Sequence, residues 1–440
     1  MEVSPGYTQN SAGPFPVDWK IRPLSESLVD RPRYGINAAA VPFSDRLPTY
    51  IRITDISPEG HFAAAEQVSV DAVGAGDYFL SEGDIVFART GASVGKSYRY
   101  RSEDGPLVFA GFLIRVRTNP NCLLPGFLAA YVTTGPYWSW VRLMSMRSGQ
   151  PGINGTEYAQ LPVPHPPLPE QRAIAAALSD VDALLSGLER LIAKKHDLKQ
   201  AAIQQLLTGQ IRLPSFGNTG SFESDDIGMR PSDWDVTRLK DLVDPSRGIR
   251  YGIVQPGAYD RNGRFMIRGQ DYSEAKGWAD PSEVFRVSDA VEQRYRSARV
   301  QHGDLIMTIV GYCGHIELVP AWLDGANLTQ TTARIAIQPD KASPSFCKYI
   351  LQSAVGKRQV TSFLKGAAQP GLNCGDVENF RLPLPPLREQ TAIATVLSDM
   401  DAELTAIEAR RNKTRDLKQA MMQELLTGKT RLVLTGGVDA

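Results

Sequence analysis

The stretch from Pro169 to Leu213, PEQRAIAAALSDVDALLSGLERLIAKKHDLKQAAIQQLLTGQIRL, returns 219 positions later. It reappears as REQTAIATVLSDMDAELTAIEARRNKTRDLKQAMMQELLTGKTRL, from Arg388 to Leu432. The two copies are identical at 25 of 45 positions. Both carry apolar residues in seven-residue rows. In the first copy one row is Ile174, Val181 and Leu188, and the other is Leu178, Leu185, Ile192 and Leu206. In the second they are Ile393, Met400, Ile407 and Met421, then Leu397, Leu404 and Leu425. Such spacing makes the seam of a coiled coil. Prolines 166, 167 and 169, like prolines 385 and 386, stand where a helix starts, and Gly209 and Gly428 stand where a left-handed cap ends one. Glu170 to Leu207 is 38 residues, a helix roughly 57 Å long. A rod of that length needs packing along its whole length, and the simplest partner is its own repeat.

Outward from the helices the repetition continues, so the chain reads as one unit written twice. Gln150-Pro151-Gly152-Ile153-Asn154 recurs as Gln369-Pro370-Gly371-Leu372-Asn373, and Pro16-Val17-Asp18-Trp19 as Pro231-Ser232-Asp233-Trp234. Tyr34-Gly35-Ile36 matches Tyr251-Gly252-Ile253, and Gly83-Asp84 matches Gly303-Asp304. The organisation expected is a front domain over 1–168, a helical segment over 169–213, a linker over 214–230, a second front domain over 231–387, a second helical segment over 388–432 and a tail over 433–440. The fold class is α+β: two mixed front domains separated by two long helices that form an antiparallel coiled coil, a pseudo-two-fold internal repeat. Strand-like runs include Tyr50 to Ile53, Asp84 to Ala88, Phe112 to Val116, Phe265 to Arg268, Asp304 to Ile309 and Ala333 to Ile337. Helix-like runs, Gly126 to Met146 and Ser345 to Leu364, precede the two Q-P-G motifs. The helical ends match closely and the front parts share only landmarks. The ends therefore do one job twice, and the front parts do different versions of one job.

Composition narrows the function. The 440 residues carry 48 Lys plus Arg and 48 Asp plus Glu, so a polycationic tail is excluded and any nucleic-acid contact must be local. Four scattered cysteines without a C-x-x-C pair argue against a disulfide framework or zinc ribbon and fit a reducing compartment. The first ten residues lack a signal-peptide pattern, and no run of 18 apolar residues suggests a membrane span. Neither H-E-x-x-H nor G-x-S-x-G occurs, and the five histidines cluster with nothing. The chain reads as a non-catalytic adaptor without a metal site.

Charge distribution is more telling than the total. Gly105 to Thr156 holds no acidic residue but carries Arg115, Arg117, Arg142 and Arg147. Lys341 to Gly375 repeats the pattern with Lys341, Lys348, Lys357, Arg358 and Lys365. Acid-free basic stretches are what a phosphate backbone selects; a solvated cationic face is the plainer reading. Within the loops, Gln150, Asn154, Gln369 and Asn373 have the donor–acceptor pairs that read adenine edges. A second loop, Arg89-Thr90-Gly91-Ala92-Ser93-Val94-Gly95-Lys96-Ser97, misses a P-loop by one residue, because three rather than four residues separate its glycines. It reads instead as a glycine loop presenting Arg89, Lys96 and Arg99 to nucleic acid, or as a structural turn. Its counterpart, Gly311-Tyr312-Cys313-Gly314-His315, lacks the lysine. On the helices, Lys195, Lys199, Arg411 and Lys418 interrupt the seam. They either snorkel and mark register or belong to a surface that docks another protein.

Two front domains alternating with two near-identical helical ends resemble the DNA-specificity subunit of a type I restriction-modification system. The stretches that carry the likeness run from Leu161-Pro-Val-Pro to Leu213 and from Leu382-Pro-Leu-Pro to Leu432, with P-x-P-E-Q and P-L-R-E-Q, L-S-D-x-D and L-L-T-G. The resemblance implies two target recognition domains, each reading one half of a bipartite site in double-stranded DNA. It implies helices that set the gap and bind two methyltransferase subunits, which methylate adenine N6, and motor-endonuclease subunits that join to cut unmodified DNA. S-adenosylmethionine, ATP and Mg are expected in those partners and no cofactor in this chain, in the cytoplasm. The Q-P-G-I-N and G-A-S-V-G-K loops match the family's recognition-domain loops, and Tyr312-Cys313 departs from that pattern. Two other readings stay open from the residues alone: a specificity module of a different methyltransferase or nuclease arrangement, and a bivalent coiled-coil scaffold that binds only proteins.

Overall fold

The computed structural model describes residues 7–432 apart from 11–12, 147–149, 218–219, 274–276 and 367–369. The chain divides into two compact units, one of residues 1–189 with 409–440 and one of 190–408. The division falls inside both long helices, Leu168–Leu207 and Leu387–Leu425, so each unit takes half of each.

In the first unit, the strands Arg33–Tyr34, Leu113–Val116, Ile85–Ala88 and Ser97–Arg99 form an antiparallel sheet in that spatial order. Its middle strands, I-V-F-A and L-I-R-V, are buried along their whole length. That requires apolar runs rather than alternation, and the only exception, Arg115, needs a partner. A second sheet orders Leu107–Phe109, Thr49–Ile51, Val68–Val70 and Ala40–Pro42, with its first pair parallel. Strands Lys20–Pro23 and Pro162–His165 pair antiparallel just before the first long helix.

The second unit repeats the plan. Ile249–Tyr251, Thr332–Ile335, Leu305–Thr308 and Ile316–Leu318 form its antiparallel sheet. Arg264–Ile267 pairs parallel with Asn327–Leu328, and Asp235–Arg238 pairs with Arg381–Leu384 before the second long helix. Every expected strand is present within a residue or two at its ends. The expected single helices are each broken in two, into Pro125–Tyr131 and Gly135–Ser145, and into Pro344–Gln352 and Ala354–Phe363. The breaks fall at Thr134 and Ser353, whose hydroxyls accept from Tyr137 N and Val355 N and so favour a fresh N-terminus over continuation. In the stretch 214–230, expected as a linker, Phe222–Asp225 forms a hairpin with Gly228–Pro231, which runs one residue past it.

The long helices run antiparallel within each unit. In the first, Lys418 pairs with Asp182 at 2.6 Å and Arg415 with Glu189 at 3.4 Å. In the second, Lys195 pairs with Glu403 at 2.7 Å, and Lys199 pairs with Asp401. As the number rises on one helix it falls on the other. Ile174, Leu178, Leu188, Ile192 and Leu206 of the expected seam are buried, as are Ile393, Leu397, Leu404 and Leu425. Each front domain shares one core with these helices. Phe127, Leu128 and Tyr158 pack with Ile174, Leu178 and Leu425, and Phe346, Ile350 and Phe380 pack with Leu206, Ile393 and Leu397.

Three repeated sequence motifs converge on a latch in each unit. In the first, Arg431 donates from Nε to Glu170 at 2.6 Å and from Nη1 to Asp18 at 3.0 Å, and Trp19 Nε1 donates to Glu170 at 3.2 Å. In the second, Arg212 donates to Glu389 at 2.9 and 2.5 Å and to Asp233 at 2.7 Å, beside the buried Trp234. Glu170 and Glu389 are the first acids of the long helices, where the helix dipole also favours them. The arginines are the R of T-G-x-x-R. The turn that delivers them needs glycine: Gly209 and Gly428 have φ of 65° and 70°. An added Cβ would lie 2.3 Å from Pro231 Cγ or 2.4 Å from Pro16 Cγ.

Candidate nucleic-acid interface

Two loops that stand about 60 residues apart in sequence meet at one end of the strands of each main sheet, a loop edge of the unit. In the first unit the chain leaves Ile85–Ala88 and turns through Gly91-Ala92-Ser93. There Gly91 N donates to Pro151 O at 3.0 Å and Ile153 N to Arg89 O at 2.8 Å, zipping the glycine loop to the Q-P-G loop. In the second unit Gly311 N donates to Pro370 O at 3.2 Å and Leu372 N to Ile309 O at 2.8 Å. The departure at Tyr312-Cys313 therefore leaves the zip intact. Cys313 Sγ also lies 3.6 Å from Pro370 O, and burial pushes its thiol up. The second glycine of each loop packs on the helix ahead of the Q-P-G motif. A Cβ on Gly95 would meet Val141 at 2.7 Å, and one on Gly314 would meet Val360 at 3.1 Å.

Several expected site residues gather at this edge. Arg89 stacks over the Tyr34 ring at 4.9 Å, and Gln150 is exposed, its Nε2 3.3 Å from where a Cβ on Gly91 would stand. Lys96 is half-buried in the loop. Arg142 is exposed on the adjoining helix and donates to Ser139 at 2.9 Å. In the second unit Lys357 and Arg358 are exposed on the corresponding helix, with Arg358 donating to Ile227 O at 2.6 Å. Lys365, with its side chain 65% exposed, pairs with Asp376 at 2.6 Å. Burial works against the Asp376 carboxylate, but the Asn373 N–H and Lys365 together hold its pKa below the usual value. Arg147 and Gln369 lie outside the described residues.

Other assignments need correction. Asn154 and Asn373 are helix N-caps: their oxygens accept from Glu157 N at 2.9 Å and Asp376 N at 2.8 Å, each completing a capping box. Each side-chain oxygen is thereby engaged within the fold, a role the sequence reading did not give it. Arg99 does not share the loop's surroundings. It lines a cleft with Arg101, Ser179, Asp182 and Lys418, and burial followed by Arg101 lowers its pKa. The acid-free stretches also carry less free charge than they suggest. Arg115 pairs with Asp30, Arg117 bonds Asp84 at 2.7 Å, Lys348 pairs with Glu317 at 2.5 Å, and Lys341 donates to Asp241 O at 2.9 Å. The counter-charges of Arg115, Arg117 and Lys348 come from elsewhere in the chain, where a linear reading does not find them. Lys195, Lys199 and Lys418 are engaged across the helix pair and mark register. Arg411, half-buried and bonded to Asn412 at 3.1 Å, is the remaining candidate for a docked partner.

Sequence reasoning passed over two aromatic groups at the same edge. Tyr312 is 85% exposed and stacks on His315 with ring centres 6.4 Å apart. Tyr34 is 41% exposed, holds Arg89, and accepts from Gly155 N at 2.9 Å. The repeated Y-G-I was the available signal for Tyr34. Among the described residues no helix is long and apolar enough to cross a membrane.

Two sheet-and-helix readers, each closed by half of each long helix, define a class of protein built to present two loop edges. The comparisons specify it. The model of the type I restriction modification DNA specificity domain matches residues 49–199 and 231–414, and the chain belongs to that family. It is 27% identical over 316 residues to the EcoBI specificity subunit of Escherichia coli, covering 70% of this chain and 64% of that subunit. It is 24% identical over 435 residues to the putative MjaX specificity subunit of Methanocaldococcus jannaschii, covering 97% of each. The solved type I restriction-modification S subunit of M. genitalium shares the fold with a TM-score of 0.59 at 13% identity, over 97% of this chain and 98% of that one.

Proposed function

We propose that this chain is the sequence-reading subunit of a type I restriction-modification complex, with each unit contacting one half of a bipartite, asymmetric site in double-stranded DNA. One observation carries the reading: in both units the glycine loop and the Q-P-G loop are zipped at one strand end of the sheet, beside a helix that bears exposed basic residues. Such an edge offers cations for phosphates, and amide and aromatic groups for base edges. Because the two edges carry different side chains, Arg89, Lys96 and Gln150 in one against Tyr312 and Lys365 in the other, the half-sites they read differ. The matched helices set the gap and dock two methyltransferase subunits, with Arg411 among the contacts. Methyl transfer and cleavage belong to those subunits and to motor-endonuclease subunits, which bring S-adenosylmethionine, ATP and Mg. The complex works on DNA in the cytoplasm.

A gel-shift selection with the full chain and its methyltransferase partner, on a pool of random duplexes, tests this. The expected result is recovery of a two-part motif with a fixed gap. Equal retention of all sequences would refute it.

A further inference from the structure

The two units differ most sharply at a place the loops do not touch. In the first unit, strand Leu113–Val116 carries the buried Arg115, opposite Arg33 in the sheet, and its charge is met by Asp30. Arg117, two residues on, pairs with Asp84. The four charges cancel. In the second unit the register places Arg334 opposite Arg250, so Arg334 stands for Arg115 and Arg247 stands for Asp30. Ala336 replaces Arg117, and Asp304, the equivalent of Asp84, is taken by Arg247 at 2.5 and 2.7 Å. Arg334 is thus 2% exposed without a carboxylate. Its guanidinium is held by the backbone oxygens of Ser297 at 2.9 Å, Arg299 at 2.6 Å and Arg247, and its Nε has no partner among the described residues.

The surroundings add charge instead of cancelling it. Leu80 and Val300 make the same backbone contact in their units, to Leu107 O and Ala326 O at 2.9 Å each. On that alignment Gly76 and Phe79 of the first unit become Arg296 and Arg299 of the second. A cleft of about 460 Å³ in the second unit is lined by Arg247, Arg250, Arg296, Arg299, Arg334 and a single acid, Asp324. Arg247 and Arg299 are spent on Asp304 and Glu292. Arg250 and Arg296 have no carboxylate partner among the described residues, and Asp324 accepts from His302 N at 2.8 Å. Burial, then the neighbouring Arg247, pulls the Arg334 pKa down to about 10.

We infer that this cleft is an anion site for one tetrahedral phosphate group, contacted by Arg250 and Arg296 over the buried Arg334, and that the group is a backbone phosphate of the DNA engaged by the second unit. The guanidinium fork suits phosphate oxygens. The first unit, with Asp30 in place of Arg247, has no such site. The assignment of the phosphate to DNA rests on the proposed function; the anion site itself does not.

Two variants of the full chain test it. Arg250→Gln with Arg296→Gln removes the contacts. Arg247→Asp with Ala336→Arg rebuilds the neutral set of the first unit, leaving Arg250 and Arg296 in place. Circular dichroism reports folding, and 31P line broadening of inorganic phosphate at constant ionic strength reports the cleft. The salt dependence of duplex binding reports DNA. Wild type should broaden the phosphate line and both folded variants should not. The R250Q/R296Q variant should bind all duplexes more weakly, with a salt slope lower by about 1, since the single phosphate held there contributes about 0.9. Phosphate binding that survives in both folded variants overturns the site. Phosphate binding lost with an unchanged salt slope overturns the assignment to DNA and leaves a free phosphate as the ligand. Should wild type fail to bind any duplex, the proposed function falls, while the phosphate measurement still decides the cleft.

Discussion

Replacing Arg212 with methionine should destabilise the second unit more than any surface change of similar size. Glu389 has a side chain with 0% exposure, and among the described residues its carboxylate has Arg212 as its only side-chain partner. The hydrogen bond from Arg212 to Glu389 is the first reason the guanidinium pKa is raised, ahead of the contact with Asp233. Asp233 is 52% exposed, so its share of the loss is at most about 1 kcal/mol. Leaving the buried Glu389 charge unanswered costs about 3–5 kcal/mol. At about 2–4 °C per kcal/mol for a unit of this size, the melting transition should fall by roughly 6–20 °C. Calorimetry of the full chain measures it. The double variant R212M/E389L removes the stranded charge and should regain most of the loss, because an apolar pair of similar volume often replaces a buried ion pair without penalty. If R212M costs under about 1 kcal/mol, or the double variant is no better than R212M, the latch does not work as described.

Asn154→Ala should cost about 1 kcal/mol in denaturant unfolding, as loss of an N-cap does, and should leave the selected DNA motif unchanged; an altered motif would return Asn154 to base reading. Gly428→Ala should lower stability by about 2–5 kcal/mol, from left-handed strain plus the clash with Pro16, and a neutral effect would contradict the turn geometry. His165 has its Nε2 2.6 Å from Ser27 Oγ and its Nδ1 2.9 Å from Val163 O, and burial holds the imidazole below 6.5. The unfolded chain binds that proton more readily, so stability is full above pH 6.5 and declines as pH falls toward the folded value. His165→Gln should flatten that decline between pH 7.5 and 5.5, and an unchanged slope would assign it to other groups.

The rods were legible because a seven-residue repeat is local: Ile174, Leu178 and Leu188 announce a face whatever covers it. The strands were legible for the same reason, since I-V-F-A and L-I-M-T are runs that only a doubly covered sheet accepts. What the sequence hid was pairing at a distance. Arg115 and Arg117 read as free cations because Asp30 and Asp84 stand more than 30 positions away. Lys195 and Lys418 left docking open beside register marking because their acids lie on the other rod. Asn154 read as a base reader because a cap and a reader use the same amide. The glycine loop and the Q-P-G loop were each recognised, but nothing in either spells out the hydrogen bonds that join them.

One polypeptide holds two independent readers. Exchange of residues 16–168 for the corresponding segment of another family member, followed by mapping of methylated adenines in cells that supply the partner subunits, tests it most directly. One half of the target should change while the other half keeps its bases. A change in both halves, or in neither, would contradict it.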